Sequence, residues 1–275
     1  MKILLTGARG QLGLALTAAL AGHHVVGADS KRLDVTDLEA VRAAMEAEQP
    51  DLVVNCAAWT DVDGAEADPQ GAFRVNALGP RNLALATRAC GSALLQVSTD
   101  YVFDGESDRP YCEFDETHPL QVYGRSKLAG EDAVRTYNER HYVVRTAWLY
   151  STTRKNFALT MRSLAEREEV RVVADQFGSP TYVPHLAAGI ARLVETEAYG
   201  TWHLAGRGQA SWFDLARALY GALGIATPVQ PVSTPEFPRP AARPRFAPLA
   251  TVQSPEIRLP AWEEGVRDFA RDLGS

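Results

Sequence analysis

The sequence predicts an α/β fold in which a doubly wound parallel sheet carries a smaller C-terminal lobe. Three observations predict it. Short apolar runs alternate with segments of helical periodicity through the first half of the chain, as expected for successive β-α-β units. A glycine-rich turn follows the first apolar run, and nine of the sixteen prolines fall between residues 228 and 260.

The first five strands are predicted from short apolar runs that lack polar alternation. Continuous runs of this kind are typical of parallel strands that are buried on both faces. The predicted strands are Ile3–Leu5, Val25–Gly27, Leu52–Val54, Leu94–Val97 and Tyr142–Val144. The predicted helices lie at about 11–22, 36–48, 69–90, 125–140 and 156–169. Right-handed crossovers would place these helices on both faces of the sheet.

Beyond about residue 175 the alternation of strands and helices loosens. Helices are predicted at about 185–197 and 211–223, with a short strand near Trp202–Leu204. The proline density that follows excludes a regular helix or a central strand. We therefore expect an ordered lobe there, followed by a last helix from about Trp262.

Size and charge limit the classes of protein. The chain has 275 residues and a mass of 29.9 kDa, which suffices for one large domain or for a domain and a lobe. We predict a domain at 1–174 and a lobe over most of 175–275, and leave open that some segments of the lobe return to the sheet. The formal charge of −6 argues against binding to nucleic acid or to an anionic membrane.

The cysteine and histidine patterns do not indicate a metal site. Cys56, Cys90 and Cys112 are odd in number and widely spaced, so we expect neither a disulfide framework nor zinc ligation. The six histidines lack metal-ligand spacing. The chain begins without a leader-like segment, and no run approaches the roughly 18 apolar residues of a membrane span. We therefore expect a cytoplasmic protein without a bound metal.

A glycine-rich turn lies directly after the first predicted strand and opens the first helix. Gly7, Gly10 and Gly13 have the spacing G-x-x-G-x-x-G. Glycines at such a turn let the backbone approach a pyrophosphate, and the helix N-terminus offers free N–H groups to the anion. The turn and its strand–helix context predict a Rossmann-type dinucleotide site.

The end of the second strand carries signals for both nicotinamide cofactors. An acidic residue such as Asp29 normally binds the ribose 2′-OH of NAD, whereas a basic residue accommodates the 2′-phosphate of NADP. Lys31 and Arg32 follow Asp29, and Arg9 adds a cation from the glycine turn. The sequence leaves the choice between the two cofactors open.

Small and polar residues follow the next strands, at the edge where open α/β sheets bind ligands. Residues 55–60 read Asn-Cys-Ala-Ala-Trp-Thr, and small residues here let a flat cofactor lie against the backbone. Residues 98–101 read Ser-Thr-Asp-Tyr, which brings hydroxyls and a carboxylate to the same edge. Asp34 and Val35 are predicted to line an adenine pocket.

Tyr123 and Lys127 form the strongest catalytic signal. Four residues are one helical turn, so both side chains lie on one helix face. A free phenol with a pKa near ~10 is a poor acid at neutral pH, and a nearby ammonium is expected to lower that pKa. Only four of the 28 basic residues are lysines, and Arg cannot replace the compact ammonium beneath a Tyr.

These motifs resemble the extended short-chain dehydrogenase/reductase superfamily and, within it, the dTDP-4-dehydrorhamnose reductase family. The resemblance covers about residues 3–181. The stretches that carry it are LLTGARGQLG, NCAAWTDVDGAE, VSTDYVFDG, YGRSKLAGE, RTAWLY, NFALTM and DQFGSPT. The resemblance implies reduction of the C4 keto group of dTDP-4-dehydro-L-rhamnose to dTDP-L-rhamnose. The implied reductant is NADPH, and acceptance of NADH stays open.

The resemblance also implies roles for individual residues. Thr99 would hydrogen-bond the sugar carbonyl, Tyr123 would protonate it, and Lys127 would hold the nicotinamide ribose and tune Tyr123. With the residues argued above, the predicted cofactor site comprises Gly7, Gly10, Gln11, Leu12, Asp29, Asp34, Val35, Ala57, Ala58, Thr60, Tyr123 and Lys127. The predicted substrate contacts are Thr99, Asp100, Tyr101, Trp148 and Arg243, the last of which makes the lobe a substrate-binding lobe.

One stretch departs from the family pattern. The family usually follows an Arg-Pro pair with Asn-Ser, whereas Arg243-Pro244 is followed here by Arg245-Phe246. The sugar contact at this point is therefore open. We expect Arg243 to bind the sugar diphosphate, with Arg154 and Lys155 as the next candidates.

Two rival functions stay open at this stage. The first is another nucleotide-sugar reductase, epimerase or dehydratase of the superfamily, and an epimerase would retain tightly bound nicotinamide. The second is a non-catalytic NADP-binding regulatory subunit, which would have no need of a matched catalytic acid. Some relatives are associated with Mg²⁺ at a dimer contact, so a homodimer and a Mg²⁺ requirement also stay open.

Overall fold

A computed structural model describes residues 1–274 and has a six-stranded sheet at its centre. In chain order the strands are β1 (Lys2–Thr6), β2 (His24–Ala28), β3 (Leu52–Asn55), β4 (Ala93–Thr99), β5 (His141–Thr146), β6 (Leu149–Tyr150), β7 (Val170–Val173), β8 (Phe177–Gly178), β9 (Thr181–Tyr182), β10 (Gly200–His203), β11 (Ala210–Ser211) and β12 (Val229–Val232). The helices are α1 (Gln11–Ala19), α2 (Leu38–Glu48), α3 (Val62–Ala67), α4 (Pro69–Phe73), α5 (Gly79–Cys90), α6 (Val122–Tyr137), α7 (Phe157–Ser163), α8 (Val183–Leu193), α9 (Trp212–Leu223) and α10 (Trp262–Gly274).

The central sheet has the order β2-β1-β3-β4-β5-β10, and every neighbouring pair is parallel. The chain runs outward in one direction from β1 to β2 and in the other from β3 onward. Such a reversal opens a crevice beyond the carboxyl ends of β1 and β3, where doubly wound sheets bind ligands. The glycine turn and residues 56–60 lie at this crevice.

Apolar side chains fill both faces of the sheet. On one face, Ile3 and Leu5 belong to a buried cluster with Leu186 and Ile190 of α8. On the other face, Leu4 belongs to a cluster that includes residues of α2 and α5. Alternate residues of one strand thus enter opposite cores, which confirms the predicted doubly wound α/β class.

The predicted helix at 69–90 is three consecutive segments, and the short helix α3 before it was not predicted. Helix α4 is followed by a π-helical turn at Arg74–Leu78 and then by α5. Pro80 lacks an N–H and its ring would meet the carbonyl four residues earlier in a regular helix. That carbonyl, on Asn76, turns instead toward α6, where a Cβ on Gly130 would lie only 2.1 Å from it. Local helix propensity does not indicate this tertiary contact.

The predicted helix at 156–169 is also wrong in its second half. Helix α7 ends at Ser163, and Val170–Val173 form β7, which pairs in parallel with β12. Pro231 lies in β12 and is tolerated because the two strands form a separate two-stranded sheet. Helix α6 begins at Val122, three residues earlier than expected, so Tyr123 belongs to its first turn.

The C-terminal part of the chain contributes to both regions of the molecule. Strand β10 pairs with β5 in the central sheet, and α8 packs against α1. Helices α7, α9 and α10 surround a separate apolar cluster with Tyr150. The division at residue 174 stays a prediction. Among the described residues, no helix is both long and apolar enough to cross a membrane.

Candidate active site

A cleft of about 1050 Å³ opens at the carboxyl ends of the central strands. It brings together residues that are up to 205 positions apart in the chain, from Gly7 to Trp212. The predicted site residues that line it are Gly7, Gly10, Gln11, Leu12, Asp29, Asp34, Val35, Ala57, Ala58, Thr60, Thr99, Asp100, Tyr101, Tyr123, Lys127 and Trp148. Of the predicted site residues, only Arg243 is not among those that line it.

The three glycines of the turn have different roles. Gly7 has a φ of 64°, and a Cβ there would lie 2.6 Å from the Cys56 carbonyl carbon. A Cβ on Gly13 would lie 2.4 Å from the Gly7 carbonyl oxygen. Gly10 has ordinary dihedral angles, and the only tight contact of its Cβ would be Gly7 O at 3.2 Å. The fold therefore requires Gly7 and Gly13, whereas Gly10 keeps the start of α1 open toward the cleft.

Asp29 and Arg9 form an ion pair at the end of β2. Arg9 Nε lies 2.9 Å from Asp29 Oδ2, and the Arg9 side chain is 74% exposed. The other carboxylate oxygen accepts hydrogen bonds from the backbone N–H groups of Lys31 and Arg32. These backbone bonds, the first of them from Arg32, lower the pKa of Asp29. The carboxylate is thus ionised and has a mobile cation beside it.

Thr99 and Tyr123 meet at the floor of the cleft. Thr99 is the last residue of β4; its Oγ1 donates to Asp100 Oδ1 (2.9 Å) and accepts from Tyr101 N (3.2 Å). The Thr99 hydroxyl is also near enough to the Tyr123 hydroxyl to influence its pKa. Tyr101 contacts the Tyr123 ring edge to face, with the ring centroids 5.9 Å apart. The strand end and the first turn of α6 therefore fix the Tyr123 phenol.

Lys127 is buried one helical turn after Tyr123. Its side chain donates from Nζ to Val97 O at 2.6 Å. Burial lowers the pKa of Lys127 to about 8, partly opposed by the nearby Glu131 carboxylate. At neutral pH the ammonium is still the main form. The carbonyl of β4 therefore holds a cation beside the cofactor edge of the sheet.

The expected lowering of the Tyr123 pKa by Lys127 is wrong for this geometry. Burial is the largest influence and raises the pKa of Tyr123, and Asp100 raises it further. The nearby Thr99 hydroxyl, which lowers the pKa of Tyr123, opposes these two effects only in part. Lys127 Nζ donates its hydrogen bond to Val97 O and not to the Tyr123 hydroxyl. Tyr123 is thus a neutral phenol at physiological pH, the form that donates a proton.

Asp100 and Thr146 present unsatisfied polar atoms to the cleft. Asp100 is 3% exposed, and its Oδ2 has no hydrogen-bond partner within the described residues. Burial raises the pKa of Asp100 to about 7. Thr146 Oγ1 is likewise buried without a partner. Sequence reasoning missed Thr146, although it ends β5 just as Thr99 ends β4, and that position was the available signal.

Two stacked tryptophans form one wall of the cleft. Trp148 has a φ of 47°, and its ring stacks on Trp212 with centroids 3.5 Å apart and an interplanar angle of 4°. The indole lies over Gly178, where a Cβ would be 2.4 Å from it. Trp212 is a second residue missed as a lining residue. It opens α9, far along the chain, and contact with Trp148 is what brings it to the site.

Arg243 is held by other residues. Its side chain is 14% exposed, and its Nη1 forms an ion pair with Asp63 at 2.5 Å and a hydrogen bond to Ala241 O. Against the effect of burial, Asp63 and the nearby Tyr101 hydroxyl both raise the pKa of Arg243. By contrast, Arg154 and Lys155 line the cleft directly. The expectation that Arg243 binds the sugar diphosphate stays a prediction, and its ion pair with Asp63 weakens it.

The described residues contain no cluster of three or more His, Cys, Asp or Glu side chains suited to a metal ion. Cys56 packs against the apolar core and also lines the cleft. Burial raises the pKa of this thiol to about 12, so it is not an activated nucleophile. The hydroxyl, ammonium and carboxyl groups that the cleft offers to a ligand include those of Thr99, Tyr123, Lys127 and Asp100.

Known proteins match this chain along its whole length. Residues 1–275 match the family model described as the RmlD substrate binding domain. A relative named dTDP-4-dehydrorhamnose reductase, from Mycolicibacterium smegmatis, is 44% identical over 97% of this chain and 84% of its own length. Another, named dTDP-4-keto-6-deoxy-D-glucose reductase, from Streptomyces niveus, is 44% identical over 90% of this chain and 87% of its own length.

A solved structure is similar over the same extent. A Bacillus anthracis protein named dTDP-4-dehydrorhamnose reductase, in complex with NADP, superposes with a TM-score of 0.96. It is 39% identical and covers 98% of this chain and 99% of its own. The superposition agrees with the fold described above. The chain therefore belongs to the family of the RmlD substrate binding domain.

Proposed function

We propose that this protein reduces the C4 keto group of dTDP-4-dehydro-L-rhamnose to dTDP-L-rhamnose with NADPH. One observation carries the proposal: Thr99, Tyr123 and Lys127 lie in the same cleft as the glycine turn. A dinucleotide bound at that turn would end beside a proton donor. The names of the relatives and the NADP complex of the Bacillus anthracis protein support the same reaction.

The glycine turn fits a dinucleotide. Gly10 leaves the first turn of α1 open, and α1 has no side-chain cap at its N-terminus. Its free N–H groups favour a pyrophosphate. Ala57 and Ala58 leave room for a flat ring after β3, and Lys127 offers an ammonium to ribose hydroxyls. When bound, NADPH would supply the hydride.

The protein's own residues supply the proton and hold the carbonyl. Tyr123 O–H donates its proton to the sugar C4 oxygen as that oxygen gains negative charge. Thr99 Oγ1 donates a second hydrogen bond to the same oxygen, for which it must leave Asp100. For the Lys127 ammonium to stabilise the phenolate that remains on Tyr123, its Nζ must likewise leave Val97 O. The raised pKa of Tyr123 suits the reductive direction, because the phenol begins protonated.

The Arg9–Asp29 pair favours NADPH over NADH in this proposal. Asp29 alone would repel a ribose 2′-phosphate. Arg9 is exposed and neutralises the carboxylate, so its guanidinium is free to rotate toward a phosphate. Asp29 still accepts a ribose 2′-OH, and NADH is therefore a weaker substrate rather than an excluded one.

The test is an NADPH-oxidation assay with dTDP-4-dehydro-L-rhamnose and its UDP analogue. Tyr123→Phe removes only the phenolic oxygen, and we expect kcat to fall by roughly 10² or more. Tyr137→Phe, at the other end of α6, is the matched control and keeps kcat. Near wild-type kcat in Tyr123→Phe would remove Tyr123 as the acid.

The rival functions give different readouts in the same assay. An epimerase would convert sugar without net NADPH oxidation and would retain nicotinamide through purification. A regulatory subunit would bind NADPH and turn over no sugar. dTDP-4-keto-6-deoxy-D-glucose is a third substrate arm, because the Streptomyces niveus relative is named for its reduction. Faster reduction of that sugar would make it the preferred substrate and would leave the proposed keto reduction unchanged.

We also propose that the protein is cytoplasmic. Cys56, Cys90 and Cys112 are all free thiols, which supports a reducing, cytoplasmic location. A homodimer stays a prediction that analytical ultracentrifugation tests. Mg²⁺ has no support among the described residues, and a chelator is expected to leave activity unchanged.

A further inference from the structure

We propose that Arg154 and Lys155 form a diphosphate-binding subsite at the rim of the cleft. The inference rests on the proposed function for the identity of the ligands, which are two molecules that each carry a diphosphate. We assign Arg154 and Lys155 to the diphosphate of one of these two ligands. Arg243, the residue expected from the sequence, is already paired with Asp63.

The charges that line the cleft point to these two residues. Its basic lining residues are Arg9, Lys127, Arg154 and Lys155. Arg9 is paired with Asp29, and Lys127 is bound to Val97 O. Within residues 1–274, the side chains of Arg154 and Lys155 have neither an ion pair nor a hydrogen bond. The proposed function assigns Arg9, paired with Asp29 at the end of β2, to a ribose 2′-phosphate. In a chain with a charge of −6, Arg154 and Lys155 are therefore the cleft cations left for a diphosphate.

The loop that carries the two cations, residues 151–156, is held in one shape. It joins β6 to α7. Arg154 has a φ of 61°, a left-handed conformation that costs on the order of 1–3 kcal/mol in a residue other than glycine. Asn156 Nδ2 donates to Ser151 O at 2.8 Å and to Arg154 O at 3.1 Å. A strained turn held by side-chain bonds presents its cations without the entropy cost of ordering a loose loop.

The same loop contacts the glycine turn. Ser151 Oγ donates to Thr153 O at 2.7 Å and lies 3.2 Å from Gln11 Oε1. Gln11 is the first residue of α1, whose uncapped N–H groups face the cleft. The 151–156 loop therefore lies beside a second source of positive potential. A guanidinium, an ammonium and a helix N-terminus together suit a diphosphate, which carries two or more negative charges.

The experiment compares two double variants of equal charge change. Arg154→Ala/Lys155→Ala removes the proposed subsite. Arg162→Ala/Arg167→Ala removes two exposed arginines that do not line the cleft and is the control. Calorimetric titrations of the full chain use NADPH, dTDP and inorganic pyrophosphate as probes, at low and high salt. KM and kcat are measured in parallel, and circular dichroism checks the fold.

We expect the subsite variant to bind at least one probe about tenfold more weakly than wild type, with kcat at saturation nearly unchanged. Weaker NADPH binding assigns the subsite to the cofactor, and weaker dTDP binding assigns it to the sugar nucleotide. Its affinities should also depend less on salt. Affinities within twofold of the control for all three probes would overturn the proposal. If the double variant does not fold, Lys155→Gln alone is tested against Arg162→Gln by the same criterion.

Binding and turnover separate this proposal from the proposed function. Calorimetry needs no reaction, so a protein that binds NADPH and dTDP but reduces no sugar would refute the proposed function and leave the subsite in place. A protein that reduces the sugar with Arg154 and Lys155 removed, at unchanged KM for both ligands, would do the opposite.

Discussion

Asp100 is the buried carboxyl group of the cleft whose charge is least compensated. One oxygen accepts from Thr99, and the other has no partner within the described residues. Burial raises the pKa of Asp100 from 3.8 to about 7. Thr146 lies in the same cleft with an unpartnered hydroxyl. A buried polar atom without a hydrogen-bond partner costs free energy. A polar ligand such as a sugar would therefore form hydrogen bonds with these two groups when it enters the cleft.

The raised pKa predicts a pH dependence of stability. Between pH 3.8 and about 7 the folded state keeps a proton that the unfolded chain releases, so the contribution of Asp100 to the free energy of unfolding falls as pH rises. Asp100→Asn removes this loss. We expect its stability relative to wild type to increase from pH 4 to pH 8, by roughly 4 kcal/mol at most.

Urea denaturation at both pH values measures this difference. Asp108→Asn changes an exposed carboxylate and is the control, for which the relative stability should not change with pH. A relative stability of Asp100→Asn that is the same at both pH values would mean that Asp100 is ionised in the folded protein throughout.

The sequence predicted many of the residues that line the cleft, because these residues follow strand ends or occupy one helix turn. Thr99 and Tyr123 were found in this way. The roles of Arg243 and of the 151–156 loop were harder to predict. The pairing of Arg243 with Asp63 depends on a contact between residues 180 positions apart. Spacing along the chain carries no information about which cation already has a counter-ion.

Helix α6 carries both Lys127, which lines the cleft, and a buried carboxylate one turn later. Glu131 is fully buried and accepts hydrogen bonds from Ser98 Oγ and from the Arg145 guanidinium. Its pKa is lowered although burial, the largest influence, raises it, because Arg145 and Arg135 favour the charged form. The helix is thus tied to β4 beside Thr99 and to β5. The network fixes α6 relative to the end of β4 that carries Thr99.

Removing the charge from this network should destabilise the fold. Glu131→Gln leaves the Arg145 guanidinium buried without its counter-ion, and we expect a loss of about 3–5 kcal/mol in the free energy of unfolding. Asp132→Asn, the neighbouring carboxylate on the same helix, is 64% exposed and should change stability by less than about 1 kcal/mol. Equilibrium denaturation in urea measures both. Equal effects would show that the buried network contributes no more than a surface pair.

The elements themselves were predictable where burial is apolar and periodic. The five strands and helices α1, α2, α8 and α9 came from such patterns. The π turn before Pro80 and the β7–β12 pair did not, because each depends on a distant partner, Gly130 for one and residues 229–232 for the other. The pairing of Glu131 with Arg145, 14 positions apart, likewise depends on the packing of α6 against β5.

The C-terminal segment of the chain contacts residues of the first half through ion pairs and hydrogen bonds. Asp63 of α3 forms ion pairs with Arg239 and Arg243 of the proline-rich segment. Glu113 accepts hydrogen bonds from His203 N and from Val252 N. Cofactor binding to such a structure stabilises the folded state of the whole chain. The gain is about 2.7 kcal/mol when the ligand is present at one hundred times its Kd.

This linkage predicts the effect of one glycine on thermal stability. NADPH should raise the Tm of the wild type, and Gly10→Val should abolish the rise, since its side chain occupies the path to the α1 N–H groups. Gly22→Val places the same side chain in open space and should keep the rise. Differential scanning fluorimetry measures all three. An unchanged NADPH shift in Gly10→Val would mean that the dinucleotide binds elsewhere.

The stacked pair of Trp148 and Trp212 has an optical consequence. Two indoles stacked 3.5 Å apart are fixed in an asymmetric environment, so the near-ultraviolet circular dichroism should have a tryptophan contribution that weakens in Trp212→Phe. Both rings also border the cleft, within reach of energy transfer to a reduced nicotinamide. Their emission would fall as NADPH binds and recover as it is oxidised. The protein thus carries its own fluorescent reporter of cofactor state, which requires no label.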